Sequence, residues 1–305
     1  MAVSSLNVLI AGEKDSAVRE HLLADSLYHA GLFPDAKTHY YTALGIKKET
    51  GDPLGAALCR LGIAKIAYFE GYYSKAQKLI EEVMPVFEKN GLYKKTFQCH
   101  QTLGDIHAKR GQYDDAVAQY RRAVGQGEEA GDARLVCQGL QSMGHLSVTR
   151  GRYYGAKLSY DLALASAPEN TDSGYVYIGL GDVYAMKDEF ETSITYLDSA
   201  LSLAETAGDS ALVSGVYGAM AHTYRRSGEY LMALDYYSKQ LDIIKIRNDK
   251  LGRAKTMMNM AGIFEIRKQY AKAGDFMQEV VLIFSELNSP EAEKAKEFLR
   301  RLRNR

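Results

Sequence analysis

The stretch "LGDIHAKRGQYDDAVAQYRRAV" at residues 103–124 is echoed by "LGDVYAMKDEFETSITYLDSAL" at residues 180–201, which begins 77 residues later. Leu103, Gly104 and Asp105 correspond to Leu180, Gly181 and Asp182. Neither stretch holds a nucleophile–base pair, a metal-ligand cluster or a phosphate-binding loop. The echo therefore points to a repeated structural unit, and its reach along the chain decides the fold.

Working outward, one frame recurs seven times: a small residue, six others, a turn residue, one more, an aromatic, two more and a second small residue. The turn positions are Gly31, Gly71, Gly111, Gly151, Asp188, Gly228 and Lys268, spaced by 40, 40, 40, 37, 40 and 40. The aromatics are Phe33, Tyr73, Tyr113, Tyr153, Phe190, Tyr230 and Tyr270. The small residues before the turn are Ala24, Ala64, Gly104, Gly144, Gly181, Ala221 and Ala261; those after it are Ala36, Ala76, Ala116, Ala156, Ser193, Ala233 and Ala273. Such a period is the mark of a repeat architecture, in which each unit buries its apolar face on its neighbours.

The two small residues lie on facing helices and let the axes approach closely. The turn glycine supplies the positive φ that ends a helix, and the aromatic is expected to fill the wedge between helix pairs. Between repeats, "TGDP" (50–53), "NGL" (90–92), "AGDA" (130–133), "AGDS" (207–210) and "RNDK" (247–250) combine a helix stop with, in four of the five, an Asp placed to cap the next helix. As caps these acids explain themselves, so they are not read as metal ligands.

Composition agrees. The 305 residues include 22 Tyr, no Trp and only 5 Pro, with 38 basic and 38 acidic side chains. Few prolines favour helix, and a balanced charge argues against a nucleic-acid binder. Cys59, Cys99 and Cys137 are too few for a disulfide framework and fit a reducing, cytoplasmic setting. No segment reaches the roughly 18 apolar residues of a membrane span, and the N-terminus does not read as a secretory signal.

The frame resembles the tetratricopeptide repeat, in a 40-residue form like that of LGN/Pins, kinesin light chain, rapsyn and the Rap/PlcR peptide sensors. The resemblance implies an all-α, right-handed superhelical solenoid of seven antiparallel helix pairs over residues 16–289. A capping helix follows over 290–305, and residues 1–15 form an N-terminal segment that is poorly ordered or a short helix. "SPEAEKAKEFLRRLRNR" supplies that last helix, with Ser289 as N-cap, Pro290 in the first position and arginines in the final turn. Repeat 4 is three residues short, which makes "SAPENTDSG" (166–174) a candidate hinge.

In the family resembled, the first helix of each repeat lines the concave face. Carried over by frame, the groove candidates are Tyr28 in repeat 1, Lys65, Tyr68 and Phe69 in repeat 2, and Gln98, Gln101 and Asp105 in repeat 3. Repeat 4 adds Gln138, Gln141 and His145, repeat 5 adds Tyr175 and Asp182, and repeat 6 adds His222, Arg225 and Arg226. The amides offer donors and acceptors suited to a peptide backbone, the aromatics offer anchors, and the two arginines suit an acidic segment. The alternative is a solvated polar face that binds nothing. The carboxylate-clamp pattern of the chaperone-binding relatives is missing.

His145 and His222 stand two repeats apart, too far to share a metal ion. Cys59 and Cys99, one period apart, read as packing thiols rather than a redox pair. No catalytic motif is found, and no cofactor is implied. The reading is a non-enzymatic scaffold for a protein or peptide partner. A sensor whose superhelix responds to a short signalling peptide and a self-associating structural module stand as alternatives.

Overall fold

The computed structural model describes residues 15–303. Residues 1–14 of the expected N-terminal segment, and the last two of the expected capping helix, lie outside the described residues. Fifteen helices occupy the described part: α1 (Ser16–His29), α2 (Phe33–Glu49), α3 (Pro53–Phe69), α4 (Tyr73–Lys89), α5 (Tyr93–Lys109), α6 (Tyr113–Glu129), α7 (Ala133–Thr149), α8 (Tyr153–Ser166), α9 (Asn170–Met186), α10 (Phe190–Ala207), α11 (Ser210–Ser227), α12 (Tyr230–Arg247), α13 (Lys250–Ile266), α14 (Tyr270–Glu286) and α15 (Glu291–Arg303).

The frame explains where each helix stops. Gly31, Gly71, Gly111, Gly151 and Gly228 take positive φ, and Asp188 (62°) and Lys268 (59°) adopt the same left-handed conformation without being glycine. The array thus forces the turn geometry even where the sequence lacks the residue that favours it. Asp52, Asp132, Asp209 and Asp249 each accept hydrogen bonds from backbone N–H groups of the helix they precede. Ser289 does the same for α15, accepting from the Glu291 N–H at 3.3 Å.

The small frame residues are buried throughout, and those that are Ala or Ser have zero exposure. Close approach is real: a Cβ added at Gly104 would fall 2.5 Å from the Tyr120 ring, and one at Gly179 would fall 2.3 Å from Tyr160. The wedge expectation needs correcting. Only Phe33 is buried; the other six aromatics are half-buried, or exposed in the case of Tyr113.

Odd-numbered helices pack on their even-numbered partners within each repeat. From repeat 1 to repeat 6, each odd-numbered helix also packs on the odd-numbered helix of the next repeat. The odd helices are therefore the inner wall of the curve, and their exposed faces make up the concave surface. The short connection after repeat 4 is smaller than the sequence implied. Residues 170–174 are already helical in α9, and Arg134 from α7 holds the junction through Glu169 at 2.7 Å and Asp172 at 3.4 Å.

A single apolar core cluster joins Phe33, Tyr40 and Ile63 of repeats 1 and 2 to Tyr237, Phe284 and Leu299 at the far end of the chain. Pro290 stands 3.5 Å from the position a Cβ would take at Gly71. The array returns on itself, and α15 covers repeat 7 while its N-terminal end meets the turn of repeat 2.

Candidate functional site

The concave surface is a chain of connected hollows. At the N-terminal end, Tyr28, Lys65 and Gln98 line a cavity of about 140 Å³ with His21, Asp25 and Tyr40. Lys65 donates to Gln98 at 2.9 Å across the repeat boundary, and burial holds its ammonium below the usual lysine range. Tyr40 donates to Asp25.

Tyr68 and Asp105 share the next hollow, about 320 Å³, with Tyr113, Tyr120 and His145. Gln101, Gln138, Gln141, Tyr175 and Asp182 line a third, about 340 Å³, with Asp105 and His145. The amides do not form one continuous ladder. Gln101 donates to Ser142 of the following repeat at 3.2 Å, whereas Gln141 turns to Cys137 on its own helix at 3.2 Å. Tyr120 donates to Asp105 at 2.6 Å; burial nevertheless raises the Asp105 carboxyl above its ordinary range.

The fourth hollow, about 580 Å³, spans repeats 4 to 7. His145, Asp182 and His222 share it with Ile178, Met186, Tyr237, Lys255 and Asn259. Burial lifts the Asp182 carboxyl to about 6. It lowers both histidines, reinforced by Lys109 at His145 and by Arg225 and Arg226 at His222. Near neutral pH these imidazoles are uncharged.

Three candidates stand elsewhere. Phe69 stacks on Phe33 with ring centroids 4.0 Å apart and belongs to the core. Arg226 bridges repeats 5 and 6, donating to the Ala185 carbonyl at 2.9 Å and to Asp188 at 2.7 Å. Arg225 extends toward repeat 7, 3.9 Å from where a Gly262 Cβ would lie. Sequence reasoning also missed the tyrosines Tyr40, Tyr120, Tyr160 and Tyr237, which reach the concave face from the second helix of their repeats. Their signal was present, since each sits nine positions after its turn residue.

All three cysteines are free and buried, and burial pushes Cys59 up to about 11 and Cys99 to about 12. Such thiols stay protonated and are poor nucleophiles. Among the described residues no group of three His, Cys, Asp or Glu side chains is placed to hold a metal ion. None of the described helices is long and apolar enough to cross a membrane.

Family models described as tetratricopeptide repeat match residues 172–246 and 97–126. With seven such helix pairs in phase, the chain is a tetratricopeptide-repeat protein whose array resembles those of the Rap type. A Rap protein solved with competence and sporulation factor is 16% identical, with a TM-score of 0.66 over 99% of this chain and 78% of that one. The Rap conjugation gene regulator of plasmid pLS20, solved with the Phr* peptide, is 15% identical with a TM-score of 0.64, covering 93% of this chain and 76% of its own. The apo quorum sensor NprR from B. thuringiensis is 15% identical with a TM-score of 0.62, covering 92% and 80% respectively. At these identities the likeness is one of fold. No curated protein matches the sequence.

Proposed function

We propose that the chain is a non-enzymatic scaffold that binds an extended peptide segment of a partner in the concave groove, in the cytoplasm. The observation that carries this reading is the run of hollows along the odd helices. Amides, a lysine, acids and tyrosines from successive repeats all open into it. An extended backbone presents donors and acceptors along its whole length, and such a lining can meet them repeatedly. Two of the fold relatives were solved in complex, one with the Phr* peptide and one with competence and sporulation factor.

The test is a binding titration. Replacing Gln101 and Gln141 together by Ala should leave helicity by circular dichroism unchanged and weaken a peptide selected from a random pool about tenfold, the loss of one or two net hydrogen bonds. Unchanged affinity would remove the groove assignment.

A sensor is the second reading, and one observation favours it. Tyr68 lines the groove and is also close enough to α15 to feel the charge of Glu291. A bound peptide would press on the place where the two ends of the array meet. Small-angle scattering with and without that peptide separates a rigid scaffold, which gives one profile, from a sensor, which gives two.

A further inference from the structure

The small hollow at the N-terminal end gathers more positive charge than its own acid answers. Lys65 of α3 and Lys95 of α5 line it together with Asp25 of α1. These three helices are neighbours along the inner wall, α3 packing on both α1 and α5. Lys65 donates to Gln98 of α5 at 2.9 Å. Lys95 precedes Gln98 by three residues, which sets the two on one face of α5. A direct bond and a shared helix face thus bring both ammonium groups to the same side of one cavity.

Their proximity shows in the charges. After burial, the repulsion from Lys95 is the strongest influence holding the Lys65 ammonium below the usual lysine range, and it outweighs the attraction of Asp25. Lys95 also helps to lower the His21 imidazole. Asp25 is engaged elsewhere: it accepts from the Tyr40 hydroxyl and stands 3.6 Å from His21 Nε2. Among the described residues neither lysine forms an ion pair. A half-buried cation without a counter-ion is costly. The arginines expected from the sequence to read an acidic segment leave that role open, since Arg226 is committed to Asp188 and the Ala185 carbonyl.

We propose that Lys65, Lys95 and Gln98 form a subsite for the carboxylate of an Asp or Glu side chain in the groove peptide. One carboxylate oxygen accepts from Lys65 and the other from Lys95, while the Gln98 amide N–H donates from a third side. An ammonium has three N–H donors, so Lys65 keeps its bond to Gln98 when the ligand arrives. The proposal rests on the groove reading and names the side chain that the groove selects. Two ammonium groups against the Asp25 carboxylate leave net positive charge, and His21 is kept uncharged by burial. A carboxylate supplies one negative charge; a phosphoryl group carries nearly two near neutral pH and would overshoot. A neutral amide would meet Gln98 and leave both lysines unanswered.

The first test needs no ligand. Lys65→Met keeps the length of the side chain and removes the unpaired charge, so it should not lower the thermal midpoint. The second test uses one hexapeptide enriched on the wild-type protein from a random pool. That peptide should carry an acid, and changing the acid to its amide should weaken binding tenfold or more, the least that a charge-assisted hydrogen bond contributes. On Lys65→Met the acid and amide peptides should differ by less than about threefold, which makes the pair a double-mutant cycle. Lys95→Met should narrow the difference as well. Added salt should weaken the acid peptide more than the amide peptide. Amidating the peptide's own C-terminus should change little.

A thermal midpoint of Lys65→Met well below wild type would mark the lysine as a structural tie to Gln98 and overturn the proposal. So would an acid whose replacement costs as much on Lys65→Met as on wild type. Loss of binding on C-terminal amidation alone would assign the site to a terminal carboxylate, and a tenfold gain on changing the acid to phosphoserine would assign it to a phosphoryl group; either result overturns the side-chain reading. Peptide binding that depends on Gln101 and Gln141 but shows no preference for an acid sinks the subsite and leaves the groove standing. A pool that yields no binder sinks both.

Discussion

Burial lifts the Asp182 carboxyl from 3.8 to about 6, so its ionised form opposes folding by about 3 kcal/mol at most. A raised carboxyl favours the folded state when protonated, so its influence on stability improves as the pH falls from 7 toward 4. His145 and His222, lowered by burial, act in the opposite sense below about pH 6.5. Asp182→Asn isolates the acid: its gain in thermal midpoint over wild type should be widest at pH 8 and close by pH 4. A gap that does not change with pH would contradict the assignment. At this scale the sequence was readable wherever a residue sits mid-helix, as with Lys65, Gln101 or His222. It misled at Phe69 and Arg226, both in the last turn of their helix. There the side chain swings to the boundary between repeats, and a core aromatic (Phe33) or a neighbouring acid (Asp188) captures it.

The helix pair is the unit that the repeat frame encodes, and small residues set its spacing. Gly104→Ala would place a methyl 2.5 Å from the Tyr120 ring. It should cost about 1–3 kcal/mol by overpacking, measured by denaturant unfolding; a neutral result would mean the ring has room to retreat. At the turn of repeat 7, Lys268 holds φ at 59°. Lys268→Gly relieves a left-handed strain of about 1 kcal/mol and should stabilise the protein despite the entropy of glycine. Capping acids and turn residues were legible because each depends on a few adjacent residues. The tyrosine–acid pairing was harder to read, because it links positions 15 apart on two helices and is complete in repeats 1 and 3 alone, with Leu197 in the tyrosine position of repeat 5 and His222 in the acid position of repeat 6.

Across the whole molecule, the meeting of Pro290 with Gly71 depends on the summed rotation of every repeat. No local pattern announces such a sum, which explains why the sequence pointed to a cap on repeat 7 and not to a second seat on repeat 2. Pro290→Glu keeps a favourable first-turn residue for α15 but sets a charge against the turn at Gly71. It should enlarge the radius of gyration in solution without lowering helicity; an unchanged radius would show that the ends do not depend on this seat. The proposed function requires the inner wall of odd helices to be the surface that a peptide occupies. Amide hydrogen exchange with and without the pool-selected hexapeptide addresses this most directly. Added protection concentrated in α3, α5, α7 and α9 is the expected result; protection on the even helices alone, or none anywhere, would contradict it.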